Sequence, residues 1–402
     1  MMKLHNAICT FALCAFLFPF SASAENWMSR LPDNAYVAVL SIPGTHDTST
    51  GSGWVEGMEG MGDAWARTQE TTIPEQWTQG IRAFDMRPCV YEDHLNLNHG
   101  LVPTVLHFEK VLQLFCDSLT ANPSEFIIIH MLHETDGDQI SDAYNARIQE
   151  VLSRDSYQPF LADFRRELTV GDMRGKILII SRDKYATKPL VGGFFNNWTG
   201  GVDWNTQMKG QIIGKSTANL VMQDYSDTHN SGGIDTKVTA LKRLLKWSME
   251  HKTGSASTIR WVFNFASAYS KIESIFGFEV STSDGYRDNA TYTHETIIDF
   301  LKEHKPGPTG IILMDYAGVD ETNGYKVRGR EAVQAIIDNN FGYLSPSDGI
   351  SAPPTSPSSP NSEHSTLTSC YSLSGQILTS LRKGQVNIVR LPEGRIAKFL
   401  IK

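Results

Sequence analysis

The feature that most constrains this chain is a series of eight short apolar runs between residues 25 and 344. Several are bounded by Gly or polar residues, which is typical of strands buried on both faces of a parallel sheet. Longer segments with apolar residues at helical spacing lie between them. This alternation predicts an α/β barrel or a doubly wound sheet. The runs are AYVAVLSI, GIRAFDMR, HLNLNHG, EFIIIHML, GKILIISR, NLVMQD, IRWVFNF and GIILMDY.

Each run ends on a side chain that can ionise or form hydrogen bonds. A polar residue at one strand exit can be purely structural. In a parallel barrel, however, the carboxyl ends of all strands meet at one rim, so these side chains are expected to line one cleft. In chain order they are His46 and Asp47, Asp85 and Arg87, His99, His133 with Glu134, Arg182, Asp224, Asn264 and Asp315.

Two histidines and two arginines in one cleft favour acid–base chemistry at a phosphate. One histidine can take a proton from an attacking hydroxyl while the other gives a proton to the leaving oxygen. An arginine fork can stabilise charge on the non-bridging oxygens. Because Arg87 closely follows Asp85, its positive charge would repel a divalent ion. The residues therefore predict phosphodiester cleavage without a metal or another cofactor.

The two ends of the chain differ in composition from its centre. Residues 1–24 have one early Lys, an apolar core and a small-residue ASA site, which predicts a signal peptide cleaved after Ala24, hence export. The mature chain would keep three cysteines, of which Cys89 and Cys116 are the only nearby pair. The formal net charge of −8 argues against a nucleic-acid partner.

Residues 345–366 form a Pro/Ser-rich linker that cannot build a core. Residues 367–402 are a small β-rich segment whose stretches YSLSGQIL and GQVNIVRLPEGRIAKFLIK resemble the C-terminal sorting segment of type IX secretion cargo. The alternative is a small hairpin module that docks on the main domain. Either way, the expected catalytic domain is confined to residues 25–344.

An ordered set of motifs resembles bacterial phosphatidylinositol-specific phospholipase C over most of residues 32–316. The motifs are SIPGTHDT, WARTQE, GIRAFDMR, NHG, NPSEFIII, RGKILIISR, VMQDY and GIILMDY. The resemblance implies a distorted, incompletely closed (β/α)8 TIM-like barrel. It also implies cleavage of phosphatidylinositol to diacylglycerol and inositol 1,2-cyclic phosphate, by a monomer in transient, peripheral contact with a membrane.

The resemblance assigns roles to five catalytic positions. His46 aligns with the general base, and Asp315 with the aspartate that orients it. His99 matches the general acid for the leaving group, with Asp47 assisting. Arg87 falls where metal-dependent relatives carry a calcium ligand and the bacterial enzymes carry an arginine.

The resemblance also implies a pocket for the inositol headgroup. Arg182 and Asp224 match positions that bind inositol hydroxyls, and Tyr225 is the candidate for stacking on the ring. One departure is visible: the family usually has a lysine after EFIII, whereas this chain has Leu132 near that position and His133 beside it. We therefore expect His133 to contact the substrate in a non-standard headgroup pocket.

Three alternatives stay open at this point. A metal-dependent glycerophosphodiester phosphodiesterase shares the barrel and a pair of histidines, but needs a carboxylate cluster for its ion. A non-catalytic surface lipid-binding module would need no histidine pair. Separately, the Gly-rich stretch Gly51–Trp65 is either a loop covering its own apolar residues or a rim segment that enters the lipid interface.

Overall fold

The computed structural model describes residues 24–91, 93–134, 142–183, 191–198, 210–230, 232–251, 259–275 and 278–344, together with four strands between residues 369 and 400. The chain divides into two compact units, Met1–Pro353 and Pro354–Lys402. The expected signal peptide, apart from Ala24, and the expected linker lie outside the described residues.

The first unit is built around short strands, five of which are buried at every position. Continuous runs of Ile, Leu and Val keep both faces of these strands away from water. The strands are β1 (Ser41–Thr45), β2 (Ala83–Met86), β3 (Pro88–Tyr91), β4 (His94–His99), β5 (Val102–His107), β6 (Ile127–Met131), β7 (Ile177–Ser181), β8 (Gly193–Asn196), β9 (Gly210–Ile213), β10 (Thr217–Gln223), β11 (Arg260–Phe265), β12 (Ile272–Ile275), β13 (Phe278–Ser281) and β14 (Gly310–Met314).

Nine of these strands form a barrel in the order β1-β14-β11-β10-β9-β8-β7-β6-β2. Eight of them run parallel, and β9 is inserted antiparallel between β8 and β10. The TIM-like barrel expected from the sequence is confirmed, but its expected gap is not present. β1 pairs with β2 through Gly44 and Thr45, and a Cβ on Gly44 would lie 2.8 Å from the Ala83 carbonyl oxygen. Glycine at this position therefore allows the close approach that closes the barrel.

Two expected strands differ from the structure. Only the last two residues of AYVAVLSI belong to a strand, because Val37–Val39 forms a buried 3₁₀ turn and the strand begins at Ser41. HLNLNHG does not enter the barrel, because β4 pairs with β3 and β5 in a separate three-stranded sheet. β2 pairs directly with β6 instead, and the eighth parallel strand of the barrel is β8, which lies between β7 and β9 and which the sequence analysis did not identify. His99 therefore reaches the site from an outer hairpin.

The longer helices of the first unit pack their apolar faces against the barrel strands, and the largest cluster of buried side chains lies between the two layers. Among the described residues, none of these helices combines the length and apolarity needed to cross a membrane. The helices are α1 (Glu59–Met61), α2 (Ile73–Thr78), α3 (Phe108–Ala121), α4 (Asp142–Leu152), α5 (Val170–Met173), α6 (Gly233–Glu250), α7 (Ser283–Glu303) and α8 (Gly329–Phe341).

The structure also bears on the cysteine pair and on the Gly-rich stretch Gly51–Trp65. The thiols of Cys89 and Cys116 are buried and form no disulfide with each other. In the Gly-rich stretch, Trp54 is only 5% exposed, packs with Ala66 and Val102, and donates from Nε1 to Asp63 Oδ1 at 2.8 Å. Trp54 is therefore covered within the protein, as expected for a loop that covers its own apolar residues, whereas Met61 of the same stretch is 41% exposed.

The second unit contains a four-stranded antiparallel sheet with the order β16-β15-β17-β18, in agreement with the β-rich composition of its sequence. Its strands are β15 (Ser369–Tyr371), β16 (Ile377–Leu378), β17 (Val386–Arg390) and β18 (Ile396–Leu400).

Candidate active site

Strand register places His46 beside Asp315. The last residues of β1 and β14, Thr45 and Met314, are paired, so the next residue of each strand also lies opposite its neighbour. His46 Nδ1 is 2.8 Å from Asp315 Oδ1, and the backbone N–H of His46 donates to the Met314 carbonyl at 2.9 Å. A proton on Nδ1 is thus held by the carboxylate, which leaves Nε2 to face the cleft.

Register also explains the position of Asp85. In the β2–β6 pairing Asp85 lies opposite His130, whose Nδ1 is 2.6 Å from Asp85 Oδ1. The other oxygen, Oδ2, accepts from Arg87 Nη2 at 3.1 Å and from the backbone N–H of Asp47 at 3.1 Å. Burial raises the pKa of Asp85, but Arg87 and His130 outweigh it and hold the pKa well below its usual range.

Arg87 is the centre of the charge network. Its Nε lies 2.9 Å from Asp47 Oδ1, and its Nη1 donates to both oxygens of Glu134 at 2.9 Å. Its Nη2 lies 3.0 Å from His46 Nε2. Burial lowers the pKa of Arg87, but Asp47, Asp85 and Glu134 raise it well above its ordinary value. Arg87 is therefore a fixed cation beside the reactive nitrogen of His46.

His99 approaches the same cluster from the tip of β4. Its Nδ1 is 2.6 Å from the Ala66 carbonyl oxygen, and its Nε2 is 3.4 Å from Asp47 Oδ2. The same Asp47 oxygen lies 3.1 Å from His46 Nε2. The two imidazole centroids are 6.2 Å apart, and each side chain is 12% exposed. Two partly accessible histidines thus flank one buried aspartate.

The protonation of His46 and Asp47 is set by their burial and by each other. Burial lowers the pKa of His46, but the carboxylates of Asp47 and Asp315 outweigh it and raise the pKa from 6.5 to about 9. Burial raises the pKa of Asp47, an effect opposed by Arg87, His99 and His46. His46 is therefore the group in this cluster that gains or loses a proton as the pH passes through the mildly alkaline range.

A cavity of about 360 Å³ opens beside the histidine pair. Arg182 and Asp224 form a second polar group in its wall, with Arg182 Nη1 3.6 Å from Asp224 Oδ2. Trp198 holds this pair, because its Nε1 donates to Asp224 Oδ2 at 3.1 Å and its ring lies 4.2 Å from the Arg182 guanidinium. The lining residues are His46, Arg87, His99, Leu132, Arg182, Asp224, Ser226, Phe265, Ser267, Ala268, Tyr269 and Tyr286.

Two predicted substrate contacts need correction. Tyr225 does not line the cavity: it is 7% exposed, its backbone is held by Gln223 and Lys237, and Tyr269 occupies the aromatic position in the wall. His133 is also outside the lining, because Leu132 faces the cavity and the next side chain turns onto the Tyr144 ring at 4.2 Å. In each case adjacent residues at a strand exit face different ways.

The structure also brings in residues to which the sequence analysis gave no role in the site. Glu134 was noted only as a polar strand end, and its partner Arg87 is distant in sequence. Tyr286 comes from the first turns of α7, outside every strand exit. Trp198 follows β8, the barrel strand that was not identified. Recognition of the GGFFNNW segment as a strand would have drawn attention to Trp198.

Two sets of side chains among the described residues have ligand atoms close enough to hold a metal ion: His46 with Asp47 and Asp85, and Asp47 with His99 and Glu134. The guanidinium of Arg87 contacts a carboxylate in each set. A divalent ion there would compete with a fixed positive charge for the same oxygens. The donor set therefore fits an arginine-centred ion network rather than a metal site.

Two known proteins of the same name are similar to this chain in sequence, one over 80% of the chain and the other over 42%. A 1-phosphatidylinositol phosphodiesterase of Staphylococcus aureus (strain Newman) is 29% identical over 335 residues, which covers 80% of this chain and 95% of the relative. The enzyme of the same name from Listeria monocytogenes (strain EGD-e) is 34% identical over 175 residues, covering 42% and 52%. No protein-family model matches the sequence.

Solved structures share the fold. A phosphatidylinositol-specific phospholipase C from S. aureus aligns with a TM-score of 0.62 at 23% identity, covering 79% of this chain and 97% of that structure. The corresponding enzyme from L. monocytogenes aligns with a TM-score of 0.57 at 25% identity, covering 79% and 99%. These comparisons confirm the resemblance inferred from the sequence motifs: the chain is similar in sequence and in fold to the bacterial phosphatidylinositol-specific phospholipases C.

Proposed function

We propose that this protein is a metal-independent phospholipase C that cleaves phosphatidylinositol to diacylglycerol and inositol 1,2-cyclic phosphate. The observation that carries the proposal is the pair of histidines, His46 and His99, placed on either side of Asp47 and Arg87 at the cavity mouth. The S. aureus relative that aligns over 80% of this chain carries the name 1-phosphatidylinositol phosphodiesterase.

In this mechanism His46 Nε2 takes the proton of the inositol 2-hydroxyl while Asp315 holds Nδ1–H. The freed oxygen attacks phosphorus, so that one P–O bond forms within the headgroup. The P–O bond to the glycerol breaks, and the leaving oxygen takes a proton from His99 Nε2. Asp47 lies within 3.4 Å of both Nε2 atoms and stabilises whichever imidazolium is present.

Arg87 supplies the positive charge that a metal supplies in other phosphodiesterases. Its Nη2, which faces His46 Nε2 at 3.0 Å, can donate to a non-bridging phosphate oxygen while Nε and Nη1 stay on Asp47 and Glu134. The competing hypothesis, a metal-dependent glycerophosphodiester phosphodiesterase, requires those same carboxylates for its ion. The ion pairs of Arg87 therefore favour the metal-independent reaction.

We infer that the headgroup is recognised mainly at Arg182 and Asp224, which can donate to and accept from inositol hydroxyls. Leu132, Phe265 and Ala268 add apolar surface to the cavity wall, and Ser226, Ser267 and Tyr269 add hydroxyl groups.

We propose that the protein is exported and acts as a monomer in peripheral, transient contact with a membrane. Residues 1–24 have the pattern of a signal peptide, and residues 367–402 resemble a secretion sorting segment. Leu101, two residues beyond His99, is 69% exposed, and Val105 is 48% exposed, so the β4–β5 hairpin that carries the proposed general acid also presents two apolar side chains to solvent. A structure of the S. aureus relative comes from work on modulation of its membrane binding.

The direct test offers phosphatidylinositol vesicles to the wild-type protein in the presence of EDTA and follows the products by phosphorus NMR. We expect inositol 1,2-cyclic phosphate to accumulate at a rate that EDTA does not change. Loss of activity in EDTA with recovery on adding a divalent ion would support the metal-dependent alternative. Vesicle binding without any product would support the non-catalytic module.

A second expectation concerns pH. Because the pKa of His46 is raised to about 9, the free enzyme holds this base protonated at neutral pH, and kcat/KM should rise as the pH increases toward 9. Asp315→Asn removes one of the two carboxylates that raise the pKa of His46. The rise of kcat/KM with pH should therefore occur at lower pH in this variant, while kcat falls. A pH profile identical to that of the wild type would contradict the pairing.

The same raised pKa affects stability. Protonated His46 should stabilise the folded state fully below pH 6.5, and this contribution should be lost as the pH rises through about 9. Urea unfolding of the wild type and of Asp315→Asn at pH 6 and pH 10 gives the free energy of unfolding of each protein at each pH, and so measures this contribution without reference to activity.

A further inference from the structure

Tyr286 occupies a position in the cavity wall that the proposed mechanism does not yet use. It lies near the start of α7, its residue is 5% exposed, and its hydroxyl is 3.4 Å from His99 Nε2. The hydroxyl also lies 2.8 Å from Ser281 Oγ. Its ring centroid is 5.7 Å from that of His99 and 6.3 Å from that of His46.

The hydrogen bonds of His99 determine which of its nitrogens exchanges a proton. Nδ1 is 2.6 Å from the Ala66 carbonyl oxygen, an acceptor only, so Nδ1 carries a hydrogen in every protonation state. The exchangeable proton is therefore on Nε2. Within the described residues, Nε2 has two polar neighbours at equal distance: Asp47 Oδ2 at 3.4 Å and the Tyr286 hydroxyl at 3.4 Å.

These two neighbours can form hydrogen bonds with different protonation states of His99. When Nε2 is protonated it can donate to the carboxylate of Asp47. Once the proton has gone to the leaving oxygen, Nε2 has a lone pair, and a carboxylate cannot satisfy it. A phenol can, because its hydroxyl rotates to donate. Without Tyr286, neutral Nε2 would face the carboxylate with no donor among its described neighbours.

We propose that Tyr286 is a positioning residue of the acid step, which donates its hydroxyl hydrogen to His99 Nε2 as that nitrogen loses its proton. This inference rests on the proposed function, in which His99 protonates the leaving oxygen. Ser281 is the second partner of the hydroxyl and holds it in reach before the transfer. Tyr286 itself exchanges no proton with the substrate.

The electrostatic surroundings keep Tyr286 in the form that can donate. Burial raises the pKa of its phenol far above the ordinary value, assisted by the negative charges of Asp47 and Asp315 and opposed by Ser281 and Arg87. The charged or titratable groups that face the Tyr286–His99 pair are His46 and Asp47 beyond β1, Arg87 beyond β2, and Asp315 beyond β14. A phenol in this setting remains protonated throughout the cycle.

Tyr286→Phe removes only the hydroxyl, and Tyr292→Phe is the matched control, because Tyr292 lies on the same helix and is 46% exposed. With phosphatidylinositol we expect kcat of Tyr286→Phe to fall about tenfold, with KM nearly unchanged. The alkaline limb of the pH profile of kcat should move to higher pH, because neutral His99 has lost the hydroxyl that donates a hydrogen bond to its Nε2. Ser281→Ala should have a smaller effect on both quantities.

The leaving group provides a sharper measurement. An aryl ester of inositol phosphate releases a stabilised phenolate that needs no proton from His99, so wild type and Tyr286→Phe should turn it over equally. An equal loss on both substrates, a loss no greater than that of Ser281→Ala, or no loss at all would overturn the inference while wild-type cyclic phosphate still supports the proposed function. A wild type that forms no cyclic phosphate would overturn both.

Discussion

His46→Ala is expected to reduce release of inositol 1,2-cyclic phosphate by about 10³-fold or more, because general base catalysis contributes roughly 10²–10⁴-fold. The variant also removes the partner that Asp315 binds at 2.8 Å. His46 lies in a partly accessible cavity wall, so the shortened side chain leaves space that water can fill. Phosphorus NMR with phosphatidylinositol vesicles measures the rate.

The control for this variant is His251→Ala, which removes an exposed histidine at the end of α6, remote in sequence from every cavity-lining residue. It should retain the wild-type rate. Thermal unfolding of both variants separates a loss of catalysis from a loss of fold. Substantial cyclic phosphate release by folded His46→Ala would remove His46 from the role of base.

Arg87→Lys is expected to lower the rate by on the order of a hundredfold or more, because a lysine keeps the charge but not the fork. The guanidinium reaches Asp47, Asp85 and Glu134 at 2.9–3.1 Å and His46 at 3.0 Å. One ammonium group cannot keep all these contacts and also bind a phosphate oxygen. kcat should therefore fall more than KM rises.

Arg330→Lys is the matched control, since the Arg330 side chain is 61% exposed and pairs only with Asp320 among the described ion pairs. That variant should be indistinguishable from the wild type. Circular dichroism and thermal unfolding establish that Arg87→Lys is folded before its rate is interpreted. A folded Arg87→Lys with an unchanged rate would exclude Arg87 from the mechanism.

The parts of the site that could be predicted from the sequence are those at the exits of barrel strands. His46, Arg87, Arg182, Asp224 and Asp315 follow buried strands and are gathered at one rim by their parallel alignment. For these residues, knowing where a strand ends was enough to know where its next polar side chain lies.

Prediction was less successful where neighbouring residues had to be distinguished. Tyr225 and His133 each follow a residue that does face the cavity, but successive side chains leave a strand in opposite directions. An error of one position at the strand exit is then enough to assign the wrong residue. Tyr269, which follows the expected strand run IRWVFNF but lies beyond its end, and Tyr286, which comes from the start of α7, also line the cavity and were not predicted.

The sequence by itself determined a parallel α/β architecture, the rim on which its charged residues collect and the identity of most groups that could act on a phosphate, and the motif resemblance selected the barrel over a doubly wound sheet. This was possible because burial on both faces produces continuous apolar runs, and parallel strands all present their carboxyl ends on one side. Only the tertiary structure decided that the barrel closes at Gly44, that His99 reaches the site from an outer hairpin, and that Arg87 takes three carboxylates. Those outcomes depend on contacts between residues far apart in the chain, where packing and ion pairing rather than local pattern set each position.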